Sequence, residues 1–465
     1  MLRLYDTLTK KVRPFNPLHG NRVYMFVCGI TPYDSPHLGH ARAYVFYDTL
    51  AKYLMYKGYS VFYLQNITDI DDKIINKARN ENKKVGDISS TYFSEYLNMM
   101  DKLHVNSVTW YAKATDYIEE IKEQIKILIK KGFAYPSNGS VYFRVSKFED
   151  FGNLSGQIRE NLEEGARVEI DTNKENPEDF VLWKGYKEGE PFWESPWGPG
   201  RPGWHIEDTA IALHHFHEHY DIHGGGMDLI FPHHEAEIAQ AEATTGVKPY
   251  VNYWVHVGLV NVEGKKMSKS LNNFITIKDL LSKYNAETIR FFILNNEHSK
   301  PLEFSYNALN EANSALEKLV RFYNKLDYID FNSDYDQGLE HIINISIEKF
   351  FENLDNDLAF REAFSTLFSM MGEVYKKIDE KKGNVEQYKR IKAFLIDVGI
   401  ITSIFPDKKE NTDTLNLLIN KLIEYRKVLR NNKKYEESDY IRALLNDTGI
   451  EIEDSNEQIK WHIKK

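Results

Sequence analysis

Cysteine is nearly absent from this chain, with Cys28 the single one in 465 residues. No disulfide can form within it, and the chain suits a reducing compartment. No run of about 18 apolar residues occurs, which excludes a helical membrane span. The opening stretch, MLRLYDTLTKKVRPF, has no apolar core of the signal-peptide kind, so a cytoplasmic protein with no membrane partner is expected. Positive charge is not in excess either. The net charge of −10 argues against a protein that wraps nucleic acid without sequence preference. Residues 407–465 carry 12 Lys+Arg against 12 Asp+Glu, so the whole excess of acid lies upstream. At 42% hydrophobic and 13% aromatic residues, the chain can bury more than one core, and two to four domains are expected.

What is present is organised around VYMFVCGITPYDSPHLGHAR, Val23 to Arg42. Its apolar start predicts a buried strand, and the pattern from Gly39 to Lys57 predicts a helix. A strand, a tight turn and a helix N-terminus make an anion site, because unpaired backbone N–H groups and the positive dipole end point at the ligand. His37 and His40, one turn apart, can donate hydrogen bonds to phosphate oxygens. Gly39 between them leaves room for a flat base or ribose. Far downstream, Lys266-Met267-Ser268-Lys269-Ser270 follows the Glu263-Gly264 turn. Two ammonium groups on such a loop can close over a triphosphate and neutralise charge at the α-phosphate. The helix start and the loop together resemble the signatures of class I aminoacyl-tRNA synthetases.

In chain order, the first 70 residues read as a βαβ unit whose second strand is Val61–Ile67. Ligands sit at the carboxyl ends of such strands, where Cys28 and Thr68 fall. Residues 87–103 and 116–131 read as amphipathic helices, and Ser137-Asn138-Gly139 as a hairpin turn. Residues 150–203, rich in Gly, Pro and charge, read as irregular. Pro232 is expected to begin a helix with His233 and Glu237 four apart on one face, a spacing that makes a metal half-site. From about Tyr306 to Ile401 the apolar residues recur at helical spacing, as in a bundle. Two further helices are expected at Leu415–Leu429 and about Tyr435–Leu445.

The segments CGITPYDSPHLGHAR, NITDIDDKII, DFVLWK, SPWGPGRPGWHIE, DIHGGGMDLIFPHHEAEIAQ and KMSKS closely resemble the bacterial cysteinyl-tRNA synthetase family, over nearly the whole chain. The resemblance implies an α/β fold with a doubly wound parallel sheet: a catalytic domain at 1–305 with an insertion at about 110–203, a helical-bundle stem at 306–402, and a small C-terminal domain at 407–465 on the anticodon side. It implies a cysteine–tRNA ligase that forms cysteinyl-adenylate from L-cysteine and Mg2+-ATP and passes cysteine to the 3′ end of its tRNA, working as a monomer. By resemblance, His37, His40, Lys266 and Lys269 are catalytic, and ATP meets His37, Gly39, His40 and Lys269. Gly29, Thr31, Thr68, Trp204, His223 and Asp228 fall on substrate-binding positions. Cys28, His233 and Glu237 fall on ligand positions for one Zn2+ that takes the substrate thiolate. Such an ion selects by softness and ionisation, where a shape-based pocket could not reject serine well enough.

One departure matters. The family usually has a second cysteine where this chain has Asp208, which can ligate zinc through oxygen. The group His214, His215, His217 and His219 matches no family motif and reads as a solvated helix end. The basic run Lys421, Arg426, Lys427, Arg430, Lys433 and Lys434 is expected near tRNA phosphates. The rivals are a related ligase that joins cysteine to an amino sugar, and a synthetase-like tRNA-binding protein without activity. The first lacks the C-terminal segment, and the second should have lost motif histidines or lysines.

Overall fold

The apolar run at Val23 forms strand β1, Arg22–Ile30, in the computed structural model, followed by helix α1, Leu38–Tyr56, and strand β2, Ser60–Ile67. Strand β3 is Trp110–Lys113. Beyond the insertion come helix α2, Trp204–Phe216, strand β4, Tyr220–Gly226, helix α3, Glu235–Thr245, strand β5, Val251–Val257, and helix α4, Ala286–Leu294. The structure describes residues 1–157, 172–267, 273–405, 408–454 and 459–463, which fall into two units, Met1–Ile404 and Phe405–Lys465.

The five strands form one parallel sheet in the order β5-β4-β1-β2-β3. This is the doubly wound arrangement expected, and its order reverses between β1 and β4, where ligands bind. β1 and β4 are buried along most of their length, as strands covered on both faces should be. A register shift between Val27 and Ile30 opens the end of β1 at Cys28 and Gly29. A Cβ at Gly29 would lie 1.6 Å from the backbone oxygen of Asn66, so only glycine lets β1 and β2 approach there.

Within the insertion the expected hairpin forms between Ala134–Ser137 and Ser140–Phe143. Residues 150–203 are less irregular than expected, since Phe180–Gly185 and Gly200–Pro202 complete a four-stranded antiparallel sheet. Those strands are short, and their Gly- and Pro-rich flanks hide any alternation. Pro232 opens a helical turn as expected: Phe231 before it is extended, at φ −134° and ψ 133°, and His234 and Glu235 are already α-helical where the turn runs into α3.

Buried cations tie helix α1 to α4 and to the helical stem. Arg42 donates to the carbonyls of Ile293, at 2.7 Å, and Glu297, at 2.6 Å. Arg290, fully buried, bonds Asp48 at 2.8 Å and the Thr402 carbonyl at 2.7 Å. The four helices Tyr306–Lys325, Gln337–Asp355, Phe360–Asp379 and Val385–Thr402 pack through Leu309, Leu316, Phe350, Leu367 and Phe394. Among the described residues no helix is long and apolar enough to cross a membrane.

The second unit holds helices Lys408–Asn431 and Tyr435–Asp447 and an antiparallel pair, Ile450–Asp454 with Ile459–Ile463. Ile419, Ile423, Leu445, Ile450 and Ile452 form its core. Arg426 is buried here, unlike Lys421, Lys427, Arg430, Lys433 and Lys434, which are exposed. It therefore leaves the basic surface expected of that run.

The Arg290–Asp48 pair sets a test of the fold. Burial would raise the Asp48 carboxyl, but Arg290 and Lys52 hold it below its ordinary value. Its contribution to stability is therefore complete above the unfolded value, about 3.9, and is lost as pH falls through the folded one. Asp48→Asn leaves Arg290 charged and unpaired, and should cost about 3–5 kcal/mol in urea unfolding at neutral pH. The gap to wild type should narrow only below about pH 4.

Candidate metal and nucleotide site

The carboxyl ends of β1 and β4 meet the N-termini of α2 and α3 around a single thiol. Cys28 Sγ lies 3.4 Å from Asp208 Oδ2, 3.4 Å from His223 Nε2, 3.1 Å from His234 Nε2 and 3.9 Å from Glu237 Oε1. His233 Nε2 is 3.1 Å from Asp208 Oδ2 and 3.1 Å from Glu237 Oε1. These groups offer two overlapping donor sets, Cys28–Asp208–His233–Glu237 and Cys28–His223–His234–Glu237, all buried. Bonds of about 2.0–2.3 Å put the corners of a tetrahedron about 3.3–3.8 Å apart, close to these separations. Both sets fit a metal ion by spacing and by donor type.

Charge favours the first set. Burial, then Glu237 and Asp208, pushes the Cys28 thiol far above its ordinary range. Burial and then Asp208 do the same to the Glu237 carboxyl, whose Oε2 makes no hydrogen bond although His223 Nε2 lies 3.5 Å away. A thiol and two carboxylates share one buried space, and a divalent cation there would favour the charged forms of Cys28 and Glu237. The imidazoles supply no such charge. Burial, then neighbouring rings, pulls His223, His234 and His205 well below the usual histidine range, and burial takes His256 down to about 3.

A second layer fixes the donors. Asn66 donates to Asp208 Oδ1 and accepts the Gly29 N–H at 2.6 Å. His205 Nδ1 lies 2.8 Å from His233 Nδ1, Tyr220 OH 2.5 Å from His223 Nδ1, and His256 Nε2 2.7 Å from His234 Nδ1. Partners of this kind orient metal-binding imidazoles. Trp204 stacks on the His233 ring, with centroids 4.1 Å apart.

Beside this cluster a cavity of about 600 Å³ is lined by Cys28, Gly29, Thr31, His37, Gly39, His40, Asp228 and others. His37 caps α1: its Nδ1 accepts the Gly39 N–H at 3.1 Å, while His40 Nδ1 accepts the His37 N–H at 3.2 Å. The rings stack with centroids 3.7 Å apart. With both Nδ1 atoms accepting, the neutral rings carry their protons on Nε2 as donors. A Cβ on Gly39 would come within 2.9 Å of the His37 ring, so the glycine keeps this arrangement open.

The remaining expected residues lie elsewhere. Thr68 is buried, near Asn66 and Glu207, and His223 is packed against Cys28. Neither lines the cavity, nor does Trp204. Lys266 is exposed in the short strand Lys265–Lys266, paired with Val260–Val262. Lys269 lies outside the described residues, as does Asn272. His214 and His215 sit in the last turn of α2, with Tyr117 OH 2.7 Å from His215 Nε2. Sequence reasoning missed Asn66, His205, His234 and His256. The His233-His234 doublet was the available signal for one of them, and the alternation of Trp254 with His256 on β5 for another.

A family profile described as "tRNA synthetases class I (C) catalytic domain" matches residues 14–314. The chain is 46% identical to the cysteine–tRNA ligase of Thermoplasma acidophilum over 460 residues, covering 99% of this chain and 100% of the relative. It is 42% identical to that of Carboxydothermus hydrogenoformans, covering 99% of each. Among solved structures, Mycobacterium tuberculosis methionyl-tRNA synthetase bound by methionyl-adenylate aligns with a TM-score of 0.62 at 16% identity, covering 82% of this chain and 90% of that one.

Asn66 gives the test of this geometry. Asn66→Ala leaves the Gly29 N–H and one Asp208 oxygen without their partner in a buried place, and should cost about 1–3 kcal/mol in urea unfolding. A loss within about 0.5 kcal/mol, the range of ordinary surface changes, would show that Asn66 does not hold Asp208.

Proposed function

The chain belongs to the cysteine–tRNA ligases of class I, and from that premise we propose how its residues divide the reaction. The enzyme is an ATP-dependent ligase. A cysteine carboxylate oxygen attacks the α-phosphorus of ATP, the bridging P–O bond breaks, and pyrophosphate leaves with the electron pair. The acyl group then passes to a hydroxyl at the 3′ end of tRNA. No protein nucleophile is needed, so positioning and charge stabilisation carry the rate.

In this reading the Nε2–H donors of His37 and His40 hold phosphate oxygens, and Gly39 lets the nucleotide approach the start of α1. Lys266 and Lys269, of the Lys-Met-Ser-Lys-Ser motif, neutralise charge on the triphosphate with Mg2+. Gly29, Thr31 and Asp228 face the cysteine backbone; Thr68, Trp204 and His223 shape the surrounding wall. Cys28, Asp208, His233 and Glu237 hold one Zn2+. Held there, the ion would supply a soft Lewis acid for the substrate thiolate, with no comparable grip on the hydroxyl of serine. Asp208 keeps the negative charge a cysteine would bring, while one soft ligand fewer loosens the hold on zinc. Asn66 and His205 keep Asp208 and His233 turned towards the ion. The Cys28 thiol must stay reduced, which fits a reducing, cytoplasmic compartment.

The domain division we propose is a catalytic part at 1–305, a helical stem at 306–402 and a tRNA-facing part at 407–465. The exposed Lys421, Lys427, Arg430 and Lys433 of the last part suit tRNA phosphates.

The observation that carries this reading is one thiol, two carboxylates and an imidazole gathered beside the His37–His40 cavity. Pyrophosphate exchange into ATP, run across a panel of amino acids, tests it. Exchange is expected with cysteine, at least about 10²-fold above serine, and should fall when a chelator strips the metal and return with added zinc. Exchange on another amino acid and not on cysteine would overturn the function. Metal-stripped protein that activates cysteine and still rejects serine would overturn the zinc site.

A further inference from the structure

The cavity beside α1 must accept a triphosphate, yet its described wall carries two carboxylates, Asp34 and Asp228, and one Lys or Arg side chain, Lys73. Lys73 is the second residue of the helix Asp72–Glu81, which is N-capped by Asp71. The lysine is exposed, and its Nζ lies 5.5 Å from the centre of the Tyr33 ring, which lines the same cavity. Among the described residues no carboxylate forms an ion pair with it.

Its neighbours are engaged otherwise. Lys184 Nζ lies 2.5 Å from Asp72, and Arg201 bonds Asp72 and Glu190. Lys77 pairs with Glu81 at 3.1 Å. Arg42 is buried on backbone carbonyls. Among the described residues, Lys73 thus stands out as a cation that lines the nucleotide cavity and is held by an aromatic face with no ion pair. Such a contact is weak at an exposed site, weaker than a charge-assisted bond to phosphate.

Resting on the ligase reading, we propose that Lys73 is a further catalytic residue, whose ammonium group contacts the ATP phosphates and stabilises the pyrophosphate as it leaves. As the carboxylate–phosphorus bond forms and the bridging bond breaks, an electron pair moves onto the β-phosphate oxygen. A cation at that oxygen gains most at the transition state. The division of labour is physical. Lys266 and Lys269 follow β5 in the sequence, whereas Lys73 is carried by a helix whose own positive end adds to its charge. It is in place before the nucleotide binds.

The test compares Lys73→Met and Lys73→Arg with wild type in two assays, cysteine-dependent pyrophosphate exchange and single-turnover transfer from preformed cysteinyl-adenylate to tRNA. Lys73→Met should lower kcat for exchange about 10²-fold while the KM for cysteine and the transfer rate hold. Lys73→Arg, which keeps the charge, should recover to within about tenfold of wild type. Exchange by Lys73→Met within about threefold of wild type would overturn the proposal. So would an Arg variant as slow as Met, or a loss confined to transfer, which would put Lys73 on tRNA. Wild-type enzyme that fails to exchange with cysteine would instead overturn the ligase reading on which this rests.

Discussion

Three acids in one dry pocket are the constraint on which the rest of the site depends. Cys28, Asp208 and Glu237 lie at almost no exposure within bonding distance of one another or of His233. Without a cation, burial and the neighbouring carboxylates push the Cys28 thiol and the Glu237 carboxyl above their ordinary ranges. With a divalent ion the same three would become ligands. The sheet makes this meeting unavoidable. β1 and β4 are neighbours in space though far apart in sequence, and the reversal of strand order between them opens the crevice into which α2 and α3 deliver their first turns.

In the proposed reading, the same crevice is where nucleotide and amino acid would meet. α1 leaves the end of β1, and its N-terminal turn is capped by its own histidines. The cap satisfies backbone donors and also decides which ring nitrogens carry protons. One local device of secondary structure therefore sets the chemistry of the phosphate side. Farther along, Arg42 and the Arg290–Asp48 pair bolt α1 to α4 and to the end of the stem. A shift in that helix would move His37 and His40, so the buried ions of the core serve the site at a distance.

Much of this was legible from residue order. The strand at Val23, the helix from Gly39 and the pairing of His233 with Glu237 came from periodicity and spacing, because they depend on neighbours a few residues apart. The resemblance supplied Cys28 and Asp208, which periodicity cannot relate to anything so distant. What escaped was the layer behind the ligands. Asn66 matters only because β2 lies beside β1 and its side chain reaches α2, and His256 only because β5 flanks β4. The short strands Phe180–Gly185 and Gly200–Pro202 escaped for a similar reason, since each is held by its sheet partners more than by its own pattern. Arg426 reads as surface by its charge, but the helix turns it inward.

The central claim is that these buried acids hold a zinc ion that recognises the substrate by its sulfur. X-ray absorption at the zinc edge of the metal-loaded protein reads this directly. One sulfur at about 2.3 Å, from Cys28, is expected beside nitrogen and oxygen scatterers. L-cysteine should raise the sulfur count to two, while serine leaves it at one. A spectrum with no sulfur, or one that L-cysteine does not change, would contradict the account.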